Sequence, residues 1–81
     1  MDDSILGVAV DCYAAYRGEQ TPRQFRLGDR SFDIDLVVDQ WLGPDHRYFK
    51  VRTVTGELCI LRHDATSGVW ELVLFQRPSG H

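Results

Sequence analysis

The chain has 81 residues, 43% of them hydrophobic and 26% charged, with 9 basic residues against 12 acidic ones for a net charge of −3. That length allows one domain, since domains rarely fall far below ~50 residues, and the composition excludes a disordered chain. No apolar run approaches the ~20 residues of a membrane-spanning helix, and a pI near 5.4 argues against a dedicated high-affinity nucleic-acid binder.

Met1-Asp2-Asp3-Ser4 lacks the basic start of a secretory signal, so a cytoplasmic location and no membrane association are expected. A domain this small buries only ~60% of its unfolded surface, and small folds often add a disulfide or a metal. The two cysteines lie in apolar stretches, Val10-Asp11-Cys12-Tyr13 and Leu58-Cys59-Ile60. They read as buried, reduced thiols rather than a bridge.

In chain order, residues 8–17 place Val8, Val10, Cys12, Ala14 and Tyr16 on one alternating face of a strand. The rival is a helix capped by Ser4, with Ile5, Val8, Cys12 and Tyr16 at helical spacing. Gly7 and the β-formers Val8, Val10 and Tyr13 favour the strand. A polar break follows at residues 18–22, then a short strand at 24–27 and a tight turn at Gly28-Asp29-Arg30. Residues 31–42 make the longest strand, with Phe32, Ile34, Leu36 and Val38 alternating against Asp33, Asp35 and Val37. Trp41 falls on the opposite parity. A bulge near Val37-Val38 is expected to bend this strand and return Trp41 to the core.

Gly43-Pro44-Asp45 turns the chain into a strand at 47–54, with Phe49, Val51 and Thr53 inward and Tyr48, Lys50 and Arg52 outward. Thr55-Gly56-Glu57 leads to a strand at 57–63, and residues 64–68 lead to one at 69–75 with Trp70, Leu72 and Leu74 inward. Turn signals recur every ~8–12 residues, the spacing of an all-β barrel or sandwich. The expected fold is therefore all-β: a single small domain over residues 1–81, an SH3-like barrel or roll of five to six antiparallel strands. Residues 1–7 and 76–81 read as loosely ordered ends. An OB-like barrel, or an N-terminal helix plus a β-sheet, is the alternative. The expected core is Phe32, Ile34, Leu36, Trp41, Phe49, Val51, Ile60, Trp70 and Leu72.

The strings Phe25-Arg26-Leu27-Gly28-Asp29-Arg30, Asp39-Gln40-Trp41-Leu42-Gly43-Pro44-Asp45-His46-Arg47-Tyr48-Phe49-Lys50-Val51-Arg52, Ile60-Leu61-Arg62-His63-Asp64 and Trp70-Glu71-Leu72 resemble a family of short uncharacterised bacterial proteins. The likeness spans roughly residues 10–74. That family usually carries an aromatic where this chain has Cys59. The Tyr48-Phe49-Lys50-Val51-Arg52 block is also similar, more weakly, to a small C-terminal domain of bacterial damage-tolerance proteins related to translesion polymerases. The resemblance implies a small bacterial cytoplasmic domain and supplies no catalytic motif.

Nothing in the chain reads as an enzyme. Gly-rich phosphate loops, the GxSxG elbow and HExxH are absent. His63 and Asp64 are neighbours on a strand, so they point to opposite faces. Cys59 and His63 share a face ~13 Å apart, too far for two ligands of one zinc ion without a sharp bend. Asp33, Asp35 and Asp39 run along a strand and read as a solvated face. No cofactor or metal is expected.

Charge is segregated instead. Residues 1–46 carry nine acids and four bases, whereas residues 47–81 carry three acids and five bases. Arg47, Lys50, Arg52 and Arg62 belong to one hairpin, on which Tyr48, Lys50 and Arg52 alternate outward. An exposed tyrosine among cations suits stacking and neutralising single-stranded nucleic acid, for which Tyr48, Lys50, Arg52 and Arg62 are the candidates. Structural cross-strand pairs, Arg52 with Glu57 or Lys50 with an aspartate of the preceding strand, would use the same cations otherwise. Tyr13, Tyr16, Arg17 and Arg23 form a second candidate surface, of residue types enriched at protein interfaces. SH3-like barrels often take extended or proline-rich peptides in aromatic grooves. The expected function is a non-catalytic binding module, a protein–protein adaptor using Tyr48, Lys50, Arg52, Arg62, Tyr13, Arg17 and Arg23. Its alternative is weak single-stranded nucleic-acid binding linked to DNA-damage tolerance.

Overall fold

Turn chemistry sets the strand limits. In the computed structural model, which describes residues 6–12 and 21–78, each turn from Gly28 onward contains a glycine. Gly28 shows why: it lies between the paired residues Leu27 and Arg30 with φ 62°, a left-handed conformation that side chains resist. Six strands result: β1 (Leu6–Cys12), β2 (Pro22–Leu27), β3 (Arg30–Leu42), β4 (His46–Thr53), β5 (Leu58–Asp64) and β6 (Trp70–Gln76). Each pairs antiparallel with the next, and β6 returns to β1 through Leu6–Leu72, Gly7–Glu71 and Val8–Trp70. The sheet is a closed barrel, so no backbone edge is left to template aggregation.

The fold is all-β, and no helix occurs among the described residues. Residues 6–12 are a strand where a helix was the rival, and Val8, Val10 and Cys12 pack on the core. The expected continuation over 13–17 lies outside the described residues. Among the described residues no helix is long and apolar enough to cross a membrane.

Bulges decide which residues enter the core. On β3, Ile34 pairs with Thr53 and Leu36 with Arg52, so Asp35 is an extra residue. Val37 pairs with Val51 and Asp39 with Lys50, so Val38 is a second one. Each bulge flips the alternation once. After Asp35 the inward residue is Val37, and Leu36 is left 47% exposed. After Val38 the parity returns, and Trp41 stays outside, 41% exposed. One bulge, as expected from sequence, would have buried Trp41; two do not. The first also bends β3, whose Arg30–Asp33 end pairs with β2 while Ile34–Leu42 pairs with β4.

The same reasoning corrects β5 and β6. Leu61 pairs with Leu72 and Ile60 with Leu74, so Val73 is extra. Trp70 and Leu72 are buried, Leu74 is turned out, and Phe75 packs on the core in its place. On β5, Cys59 and Leu61 are buried, not Ile60. The core is Phe25, Phe32, Phe49, Val51, Cys59, Leu61, Trp70 and Leu72. Phe25 stacks on Phe32 at 5.0 Å, and Phe75 meets Phe32 edge-on at 5.5 Å. Burying such side chains contributes about 1.5–3 kcal/mol each. Both thiols are free; burial pushes that of Cys59 up to about 12.

The buried polar side chain Thr53 ends β4 and organises the next turn. Its backbone N–H donates to the Glu57 carbonyl at 2.9 Å, and its hydroxyl accepts from the Glu57 N–H at 3.1 Å. The Glu57 carboxylate accepts from the Thr53 and Thr55 hydroxyls, which hold it below the usual carboxylate range.

Candidate functional site

The β3–β4 hairpin carries the most distinctive surface. Its turn is closed by the Gly43 N–H donating to the His46 carbonyl at 2.7 Å. This sets Trp41 opposite Tyr48, both on the outer face. Their rings stack with centroids 5.3 Å apart and planes within 2°. Gly43 passes under the Tyr48 ring so closely that a Cβ there would lie 2.8 Å from Cε1. His46 flanks the same ring at 6.1 Å.

The expected cations spread outward from this pair and meet different fates. In register order, Trp41, Tyr48, Arg62 and Glu71 form one row across β3 to β6. Arg62 Nε donates to Glu71 at 2.7 Å in a half-buried pair. Glu71, with a further contribution from the Tyr48 hydroxyl, holds the Arg62 guanidinium above its ordinary value. Arg52 bonds the bulged Asp35 at 3.0 Å, not Glu57. Both side chains of that pair are about half exposed, so it stabilises by only ~0–1 kcal/mol. Lys50 stands opposite Asp39 without ion-pair contact; Asp39 instead accepts the Gln40 N–H at 2.8 Å. Tyr48, Lys50, Arg52 and Arg62 thus share one face, with two of their three charges already matched.

Only Arg23 of the second expected surface falls among the described residues. Tyr13, Tyr16 and Arg17 lie outside the described residues, and Arg23 is exposed at the bulge where β2 meets Cys12.

Beside the aromatic pair is a concavity of about 280 Å³ lined by Thr21, Gln40, Trp41, Leu42, Arg47, Tyr48 and Phe49. Leu42 and Arg47 also wall a second one, of about 320 Å³, that runs along the turn past Pro44 and His46 to Thr66. Leu42 is 77% exposed. Arg47 is half-buried, its guanidinium carbon 5.9 Å from the centre of the Phe49 ring. Across the barrel, Arg30, Glu57, Phe75, Arg77 and Pro78 line a separate opening of about 330 Å³.

Sequence reasoning missed Trp41 as a surface residue, and it counted Arg47 among the hairpin cations but left it out of the binding surface. The signal for Arg47 was available, since the alternation that puts Phe49, Val51 and Thr53 inward includes it. At the strand's start that inward position is the rim of the barrel, where a guanidinium still reaches water. For Trp41 no local signal exists, because two bulges intervene.

The arrangement offers recognition chemistry and no assembled reaction centre among the described residues. Asp64 accepts the N–H groups of Thr66 and Ser67 at 2.9 and 3.3 Å, so it shapes the β5–β6 turn and does not orient His63. These bonds hold it below the usual carboxylate range. The His63 ring lies 4.5 Å from Trp70, and burial, then the Arg47 charge, push it below the ordinary histidine value. No three His, Cys, Asp or Glu side chains gather to hold a metal among the described residues. Comparison with known proteins matches this chain to no family model, no curated protein and no solved structure.

Proposed function

We propose that this barrel is a cytoplasmic, non-catalytic binding module of SH3-like build that acts as a protein–protein adaptor. The observation that carries the reading is the stacked Trp41–Tyr48 pair beside a concavity with Arg47 at its wall. An exposed indole costs solvation unless a partner covers it, and Trp, Tyr and Arg dominate binding hot spots. The bulges of β3 hold Trp41 outside a core that already has Trp70. Affinity capture from the source organism's lysate tests the reading. The wild-type protein should retain a stoichiometric partner that Trp41→Ala loses while remaining folded. A partner retained equally by Trp41→Ala, or none at all, counts against it.

Weak single-stranded nucleic-acid binding is the second reading. It is favoured by the same stacked rings, on which a base can lie, and by Lys50 and Arg47, which have no ion-pair contact among the described residues. The likeness of the 48–52 block to a damage-tolerance domain points the same way. Against it, Asp35 and Glu71 already occupy Arg52 and Arg62, which leaves few cations for phosphate. Amide shifts on Tyr48 and Lys50 with oligo-dT, fading with salt and abolished by replacing Lys50 and Arg52 with Glu, would replace the adaptor reading with this one.

A further inference from the structure

Two cations of this surface, Lys50 and Arg47, have no ion pair among the described residues, and of these Arg47 lines both concavities. Arg52 and Arg62 each have a carboxylate at 3.0 and 2.7 Å. Arg47 is half-buried and has no hydrogen bond or ion pair among the described residues. A guanidinium presents five donors in a fixed fork, and none of those of Arg47 is buried without a partner, so they face water and are open to an incoming acceptor. The Phe49 ring at 5.9 Å steers the group and accepts none of these bonds. Across β4–β5 stands His63, which adds no counter-charge. Neighbouring acids do not pair with it either: Asp64 is engaged by the turn, and Asp45, which shares the second concavity with Arg47, makes no ion pair with it.

The apolar part of the site is equally one-sided. Trp41 and Tyr48 wall the first concavity, and Leu42, with Arg47, separates it from the second. Two neighbouring concavities that share an apolar wall, Leu42, and a cationic one, Arg47, suit an extended chain, whose same-side side chains recur every ~7 Å.

Resting on the adaptor reading, we propose that the occupant is an extended peptide segment carrying an aspartate or glutamate close to an apolar side chain. The carboxylate takes the Arg47 guanidinium, bidentate where geometry allows. The apolar side chain lies against Trp41, Tyr48 and Leu42. The partner segment therefore supplies the negative charge that Arg47 does not find among the described residues of its own chain.

Selection of a random-peptide phage library on the intact protein tests this. Wild type should enrich peptides with an acid one or two residues from an aromatic or aliphatic residue. A synthetic winner should bind about tenfold more tightly than its Asn or Gln counterpart, the effect of one charge-assisted hydrogen bond. That gap should vanish in Arg47→Gln and shrink in Arg47→Lys, which keeps the charge and loses the fork. Amide dispersion checks that both variants are folded. Peptides that need Trp41 but bind equally as acid and amide would overturn the carboxylate inference and leave the adaptor reading standing. Winners indifferent to Trp41→Ala would overturn both, and displacement of every winner by oligo-dT would assign Arg47 to phosphate instead.

Discussion

Trp70 begins β6 with 8% of its surface exposed, 5.5 Å from Phe49 and 4.5 Å from His63. Trp41, near the end of β3, is 41% exposed and stacks on Tyr48. The two side chains are identical, and each strand carries apolar residues on both faces. What separates them is the count of extra residues before each. Two bulges on β3 restore the outward parity of Trp41, while Trp70 precedes the Val73 bulge and stays inside. The indole inside stabilises the barrel, and the one outside is the one the adaptor proposal assigns to a partner. Substitution separates these roles most sharply. Trp70→Ala should cost ~3–5 kcal/mol, comparable to the whole stability of a domain this small. Trp41→Ala loses one stacked, partly exposed contact and should cost about 1 kcal/mol. Urea unfolding measures both. Equal losses would mean that Trp41 is as structural as Trp70.

That comparison also marks how far the sequence could be read. β4 was legible throughout: Phe49, Val51 and Thr53 are buried and Tyr48, Lys50 and Arg52 face out, because no bulge interrupts the strand. The barrel class followed from the turns, since glycine and its neighbours signal reversals locally. Placement on β3 did not follow. Asp35, Val38 and Val73 differ in no local way from residues that keep the alternation, and a bulge is defined by what lies across the ladder. β5 hides its parity differently. Leu58, Cys59, Ile60 and Leu61 are consecutive apolar residues, so either alternation fits until pairing with β4 is known. The cations of the site were legible as a group. Their partners were not, because Asp35 reaches Arg52 only from its bulged position.

The pH response should belong to the Trp70 end. Burial against Trp70, then the Arg47 charge, hold His63 below its ordinary value near 6.5, with Asp64 opposing. Between its folded and ordinary values the unfolded chain binds the extra proton. This contribution to stability is therefore full above about pH 6.5 and declines as pH falls toward the folded value. The loss should be small beside that of Trp70→Ala. His63→Gln should flatten the profile in this window. Glu57 and Asp64, also lowered, lose their contributions only further down, in the carboxylate range. Unfolding midpoints measured from neutral pH downward resolve the two windows. An unchanged slope in His63→Gln would remove His63 from the account.

The smallest expected change in stability tests the Trp41 side. Gly43 has ordinary negative-φ freedom for alanine, as it is not among the positive-φ glycines, and its N–H bond to His46 does not involve a side chain. An alanine Cβ would nevertheless sit 2.8 Å from Tyr48 Cε1, closer than such contacts tolerate. Something must move, and the ring yields more cheaply than the turn. Gly43→Ala should therefore change the unfolding free energy by less than about 1 kcal/mol and tilt Tyr48 off Trp41. Near-ultraviolet circular dichroism reads the coupled rings directly, and their signal should fall while the far-ultraviolet spectrum of the barrel is kept. If partner binding falls with it, recognition needs a preorganised stack, since ordering two aromatic side chains on binding would cost affinity. If binding survives, an exposed indole suffices, and Tyr48 acts only as its support.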